Sequence, residues 1–254
     1  MTLGRALLYV ASAAGLALMV RSLVIAPVPL TIAAAAMIAY LALAIAGVSV
    51  PRLEMYAPVV WRGPRKTAAI ALTFNVGPQP IHTSRILDIL DEHGVKGTFF
   101  VMGRQAEQHP DCVAEIARRG HELGTQGYEQ DRFLSLRMPG RIIDDTARGL
   151  NVVERITGLR PTMFRPSDGR VSPRTDTAAT TLELDLVTWS VEAAAGAKPA
   201  DVAAQVNRGL RPGAIVLLHE AASSEALPAI LREASAKGLT CAMVSEFVRL
   251  KFES

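Results

Sequence analysis

The stretch Thr67-Ala68-Ala69-Ile70-Ala71-Leu72-Thr73-Phe74-Asn75-Val76-Gly77-Pro78 decides how the chain is read. Its part from Thr67 to Phe74 is an apolar run of strand length, and Gly77-Pro78 turns the chain straight after it. In an α/β protein, chemistry is carried by groups standing at the ends of such strands. Here those groups are Asn75 and Val76, an amide and an isopropyl group. Neither is a strong base, and neither binds a hard dication well.

Working outward, strand-like and helix-like segments alternate from there to the end of the chain. Further strands are expected at Gly97 to Val101, Glu122 to Thr125, Thr162 to Arg165, Leu184 to Trp189, Ala214 to His219 and Thr240 to Val244. Helical spacing of apolar residues marks Ser84 to His93, Asp111 to Arg119, Pro139 to Ile156, Pro199 to Leu210 and Ser224 to Lys237, several of them closed by glycine. Such alternation predicts a mainly parallel sheet with helices packed outside, open or closed as a barrel.

The N-terminal part is of another kind. From Ala6 to Val20 only Tyr9 and Ser12 interrupt an apolar run, Arg21 breaks it, and Leu23 to Val50 carries no charge. That length suffices to cross a bilayer, which takes about 20 residues. A cleaved signal peptide is the competing reading, with Arg5 as its charged start. The second apolar segment, and Pro27 and Pro29 at a tight turn, fit two membrane helices better. The expected organisation is membrane helices over residues 1–50, a juxtamembrane linker over 51–65 and a soluble domain over 66–254. Arg5 on one flank and Arg52, Arg62, Arg65 and Lys66 on the other, against Arg21 in the turn, favour a cytoplasmic soluble domain.

The 254 residues carry a net charge of +3, with much of the excess beside the apolar segments, where it can meet anionic lipid. No basic stripe interleaved with aromatics is present and only 5% of residues are aromatic, so nucleic acid is not an expected partner. Cys112 and Cys241 are too far apart in sequence for a metal knuckle and are expected as buried free thiols.

At the predicted strand ends stand Asn75 and Val76, Gln126 and Gln130, Arg165 with Asp168, Trp189, and His219 with Glu220. Five short motifs occur there in order: Thr73-Phe74-Asn75-Val76-Gly77-Pro78; Gly120-His121-Glu122-Leu123-Gly124 leading into Gln126-Gly127-Tyr128-Glu129-Gln130; Arg165-Pro166-Ser167-Asp168-Gly169; Trp189-Ser190-Val191-Glu192; and Leu217-Leu218-His219-Glu220. Over roughly Lys66 to Val248 the chain resembles the polysaccharide deacetylase family, also called NodB homology or carbohydrate esterase family four. The resemblance implies a distorted α/β barrel of deacetylase type, here preceded by the α-helical membrane hairpin.

It also implies roles. In the family the second of two aspartates in the first motif and two histidines of the second motif bind a divalent metal, typically zinc. The first of those aspartates is the base, and the histidine of the fifth motif protonates the leaving amine. Those positions are Val76, Gln126 and Gln130 for the metal, Asn75 for the base and His219 for the acid. Valine has no donor atom, a glutamine amide is a weak neutral ligand, and an amide oxygen has no useful proton affinity. No metal cofactor is therefore expected. Arg165 would orient a carboxylate this chain lacks, and is expected to pair instead with Asp168, Glu220 or Glu192. His219 fits a vestigial acid or a strand-end histidine held by a hydrogen bond, and Trp189 fits a sugar-stacking wall or a core tryptophan. His121 is expected to be structural, and His93 to end a helix.

Three functions follow from this reading. The first is a membrane-anchored deacetylase-like protein without metal-dependent N-deacetylase activity, binding an amino-sugar polymer or scaffolding a partner. The second is an active deacetylase, hydrolysing acetyl amide bonds through a rearranged site. The third is an interaction domain with an unused cleft. The expected place is a bacterial-type inner membrane.

Overall fold

A computed structural model of the chain describes residues 2–131, 133–194 and 196–252, without the side chains of residues 220–222 and 252. Two long helices come first, α1 (Leu3–Val24) and α2 (Leu30–Ser49). The soluble part then runs β1 (Ala69–Val76), α3 (Pro80–Glu92), β2 (Thr98–Val101), α4 (Gly103–Gln108), α5 (Pro110–Arg118) and β3 (Glu122–Thr125). It continues α6 (Pro139–Thr157), β4 (Met163–Phe164), α7 (Pro173–Thr181), β5 (Asp185–Leu186), β6 (Val191–Glu192) and α8 (Pro199–Gly209). It ends β7 (Ile215–His219), α9 (Glu220–Ala236), β8 (Thr240–Cys241) and α10 (Val244–Phe252).

The strands lie in the order β5-β4-β3-β2-β1-β7-β6, with β8 paired to the start of β1, and all named pairs are parallel. This is the curled half-barrel of deacetylase type. Parallel pairing requires a crossover between successive strands, and the helices supply it. Along β1 the side chains alternate between two layers. Ile70, Leu72, Phe74 and Val76 join the outer core with α3, α5 and α9, whereas Ala69 and Ala71 pack inside with Phe100, Met163 and Ile215. Phe247 of α10, fully buried, closes the inner layer. Asn75, in step with Ala71 and Thr73, therefore belongs to the inner face at the barrel mouth, and Val76 to the outer core.

Several expectations need adjustment. The first strand starts at Ala69 and runs on through Asn75 and Val76, so these two residues are within the ladder rather than after it. Leu184 to Trp189 is not one strand: β5 covers only Asp185–Leu186, and the chain then crosses to pair β6 with β7. Thr240 to Val244 is a two-residue strand that gives way to α10. Helices α4, α7 and α10 were not expected. Polar, threonine-rich α7 has a weak apolar pattern, and its start is set instead by the Ser172–Thr175 capping box with Pro173 in the first turn.

Helices α1 and α2 are 22 and 20 residues long and apolar enough to cross a membrane. Leu16, Met19, Leu23, Ile32, Ile38, Leu41 and Ile45 on them are exposed, so neither is a core helix of the domain. Their ends are bound to it closely. Thr2 Oγ1 donates to the Glu54 carbonyl at 3.0 Å, Tyr56 Oη to the Ala44 carbonyl at 3.0 Å, and the Val171 amide to the Val48 carbonyl at 3.2 Å.

Candidate functional site

Register places the motif residues side by side. Asn75 is flanked in the ladder by Phe100 of β2 and His219 of β7, and Thr125 of β3 by Phe164 of β4, so Gln126 and Arg165 follow at the same level of the mouth. The Arg165 amide donates to the Thr125 carbonyl at 2.9 Å, tying the second and third motifs together.

Arg165 is fully buried and is the largest such side chain. Its Nη1 donates to Asn75 Oδ1 at 3.0 Å and its Nη2 to the Thr188 carbonyl at 3.2 Å, while Nε has no partner. The guanidinium carbon stands 3.9 Å from the Phe100 ring centre and 5.5 Å from that of Trp189. Burial pushes its pKa down to about 9 against the opposing pull of Glu192, which leaves it a cation at neutral pH. The amide of Asn75 thus occupies the place opposite a buried positive charge.

Pairing of Arg165 with Asp168 does not form. Asp168 accepts instead from the Ser135 hydroxyl at 2.7 Å and the Ser135 amide at 3.1 Å, and its other oxygen from the Arg170 amide at 3.1 Å. Three donors on adjacent loops satisfy this carboxylate and hold it away from the guanidinium. The Glu220 side chain lies outside the described residues; its backbone begins α9.

Glu192 is the carboxylate facing the site. It accepts from Trp189 Nε1 at 2.8 Å, and its other oxygen lies 3.6 Å from His219 Nε2. The His219 contact first, and the tryptophan bond after it, hold its carboxyl below the usual range, against burial. At 3.6 Å the histidine contact is an ion pair when His219 is protonated, and too long for a hydrogen bond. Trp189 is half-buried and bounds the inner core rather than filling it. The fourth motif retains only this carboxylate, so little in the sequence marked Glu192 above the other candidates.

The divalent ion implied by the resemblance does not fit the residues present. Val76 is fully buried in the outer core and offers no donor. Gln126 is 3% exposed, and its Nε2 is committed to the Phe100 carbonyl at 2.8 Å. Gln130 is exposed and lines a different groove, of about 640 Å³, with Tyr128, Asp145 and Arg148. Among the described residues no group of three or more His, Cys, Asp or Glu could hold a metal. The four-residue spacing of the glutamines survives, but one amide faces inward and the other solvent.

His121 is structural: buried, edge-on to Phe99 at 5.3 Å between ring centres, with Nδ1 accepting from the Gly97 amide at 3.2 Å. Burial pushes its pKa down to about 4. His93 ends α3 as expected. Cys112 and Cys241 form no disulfide and are only half-buried, where full burial was expected.

Beside Trp189 and Glu192 lies a second cavity, of about 470 Å³; Trp189 and Asp168 were candidates for a cleft, but no sequence signal joined them to the end of the second long helix. Its wall combines Asp168, Gly169, Arg170 and Thr188 with Ser49, Val50, Pro51 and Arg52, the residues that leave the second long helix.

The chain is similar to known proteins over this whole region. Residues 62–187 match the polysaccharide deacetylase family model. A peptidoglycan-N-acetylglucosamine deacetylase of Bacillus cereus is 30% identical over 73% of this chain and 70% of its own length, and a second from that organism is 28% identical over 78% and 97%. Among solved structures, a family pseudoenzyme of Bacillus anthracis is 25% identical, with a TM-score of 0.72 over 78% of this chain and 72% of that one. A mutant of that pseudoenzyme with restored enzymatic activity superposes equally well, at a TM-score of 0.72. A peptidoglycan N-acetylglucosamine deacetylase bound to a hydroxamate is 29% identical with a TM-score of 0.72, over 78% and 95%. With its five motifs in order on the strand ends of a curled parallel half-barrel, this chain belongs to the polysaccharide deacetylase family.

Proposed function

We propose that this is a membrane-anchored, deacetylase-like protein that lacks metal-dependent N-deacetylase activity and binds amino-sugar polysaccharide in the cleft beside Trp189. The observation that carries the reading is the Arg165–Asn75 bond of 3.0 Å. The only lone pairs at the base position are those of an amide, and one already accepts from a buried cation, so no group there can take a proton from water. The burial of Val76 and the separate environments of Gln126 and Gln130 support the same reading for the metal positions. The relatives from Bacillus cereus are named for N-acetylglucosamine in peptidoglycan, which supports an amino-sugar partner. The exposed apolar faces of α1 and α2, and their close attachment at both ends, support an anchor rather than a removed leader.

Acetate release from N-acetylglucosamine oligomers and peptidoglycan, with zinc supplied to the full-length protein, tests this. No turnover and no stoichiometric zinc are expected, with oligomers still bound at about micromolar to millimolar Kd. Turnover with one bound zinc would overturn the proposal. The mutant of the Bacillus anthracis pseudoenzyme with restored enzymatic activity, assayed alongside, provides the positive control.

A competing reading, an active hydrolase, has one observation in its favour: His219 and Glu192 form a histidine–carboxylate pair at the mouth. If it holds, the wild-type protein turns over and His219→Ala abolishes that turnover.

A further inference from the structure

The cavity beside Trp189 is bounded on one side by the motif cleft and on the other by the membrane end of the molecule. Helix α2 stops at Ser49, and Ser49, Val50, Pro51 and Arg52 are themselves cavity wall. The Val171 amide bonds the Val48 carbonyl at 3.2 Å, next to Arg170 of the same wall, so no flexible tether separates the helix from the cleft. If α2 spans the bilayer, the cavity opens in the headgroup layer, which adds only about 5–8 Å beyond the hydrocarbon on each side. A sugar carried on a lipid is delivered to such a mouth.

The wall chemistry suits that cargo. Arg52 and Arg170 are exposed and make no ion pair among the described residues, unlike Arg104, Arg118, Arg119 and Arg137. Guanidinium groups recognise phosphate oxygens in bidentate fashion. Beyond them stand the indole of Trp189, a flat apolar face for a sugar ring, and Glu192 and Asp168, acceptors for hydroxyl or amide hydrogens. The volume of about 470 Å³ lies in the range of small-molecule sites and exceeds what a phosphate alone would fill.

Building on the sugar-binding reading above, we propose that the ligand of this cleft is a glycosyl phosphate carried by a membrane lipid, with its phosphate between Arg52 and Arg170 and its sugar against Trp189. The test uses full-length protein in phosphatidylcholine nanodiscs, on a Trp61→Phe background that leaves Trp189 as the only tryptophan. Its emission is followed on adding N-acetylglucosaminyl polyprenyl phosphate to the discs, and separately polyprenyl phosphate without sugar, soluble N-acetylglucosamine 1-phosphate, and chitotetraose. Half-saturation with the lipid-carried sugar is expected at roughly tenfold lower concentration than with either soluble sugar. Arg52→Gln and Arg170→Gln should each weaken it about fivefold, and by more than they weaken the chitotetraose response.

If chitotetraose binds as tightly as the lipid-carried sugar, or the arginine variants bind normally, the lipid assignment falls while sugar binding stands. If polyprenyl phosphate alone saturates equally well, the sugar assignment falls. Absence of binding by every sugar removes this proposal and the sugar-binding half of the proposed function together, leaving the acetate assay as a separate test of inactivity.

Discussion

Arg165 carries a full charge with no exposed atom, and its nearest side-chain partner is a neutral amide. Restoring a carboxylate by Asn75→Asp therefore gives a buried cation its missing counter-ion. An aspartate beside an arginine has its pKa lowered by about 1–3 units, which corresponds to about 1.4–4 kcal/mol of stability at neutral pH. The sign is fixed: because the folded-state pKa lies below the unfolded one, the gain is complete above about pH 4 and disappears as pH falls through the depressed value. Urea unfolding of both proteins at pH 7 and near pH 3 reads the difference directly. An Asn75→Asp protein no more stable than wild type at pH 7 would mean that Arg165 is already neutralised by Glu192. His121 gives a prediction of the same slope in a higher pH window. Its pKa is held at about 4 by burial, so the unfolded chain takes up a proton near pH 6.5 that the folded chain refuses. Stability should fall by about 3 kcal/mol between pH 6.5 and pH 4 and level off below. His121→Asn, which keeps an acceptor for the Gly97 amide, should remove that slope.

At the scale of elements, the loop after β4 is what shapes the cleft. Gly169 sits at φ +66°, and a Cβ there would lie 2.5 Å from Cη2 of Trp189. Gly169→Ala should cost about 1–2 kcal/mol for the left-handed backbone alone, and displace the indole as well. Glu192 then loses its bond from Trp189 Nε1, and sugar binding should weaken while the circular dichroism of the fold is unchanged. Unaltered Trp189 emission in that variant would show that the wall is more yielding than the contact implies. The long periodic elements were legible beforehand: β1, β3, α6 and α8 lie within two residues of the ranges read from apolar spacing. Of the short strands, β4 was read as Thr162 to Arg165, β5 was read too long and β6 was missed, because two-residue pairings follow from the closure of the sheet and leave no period in the sequence. The site divides the same way. Asn75, Arg165 and His219 stood in motifs, whereas the pairing of Asp168 with Ser135, and of Glu192 with Trp189, depends on loops that no pattern positions. The role of Ser49 to Arg52 as cleft wall was hidden by sequence distance altogether.

Across the whole molecule, if the two long helices both cross the bilayer they return the chain to the side from which it started, which puts the domain on the side of Arg5. Arg52, Arg62, Arg65 and Lys66 add to that side, and Arg21 alone opposes them from near the turn. Charge bias near helix ends sets orientation, and the expected outcome is a cytoplasmic domain. This has a chemical consequence, because a cytoplasmic cleft at the end of α2 meets lipid-carried sugars in the inner leaflet but no assembled cell wall. Green fluorescent protein fused after the last residue should be fluorescent, and alkaline phosphatase at the same place inactive. The membrane fraction should retain the protein after alkaline carbonate washing, which would fail for a released leader. Replacing residues of the turn between α1 and α2 by lysines should shift a fraction of the molecules to the opposite orientation, since a single arginine is all that now resists. An active phosphatase fusion on the unmodified chain would invert the topology. The cleft would then face the outer leaflet, where both lipid-carried sugar and polymer are present, and the nanodisc comparison of the two would become the deciding measurement.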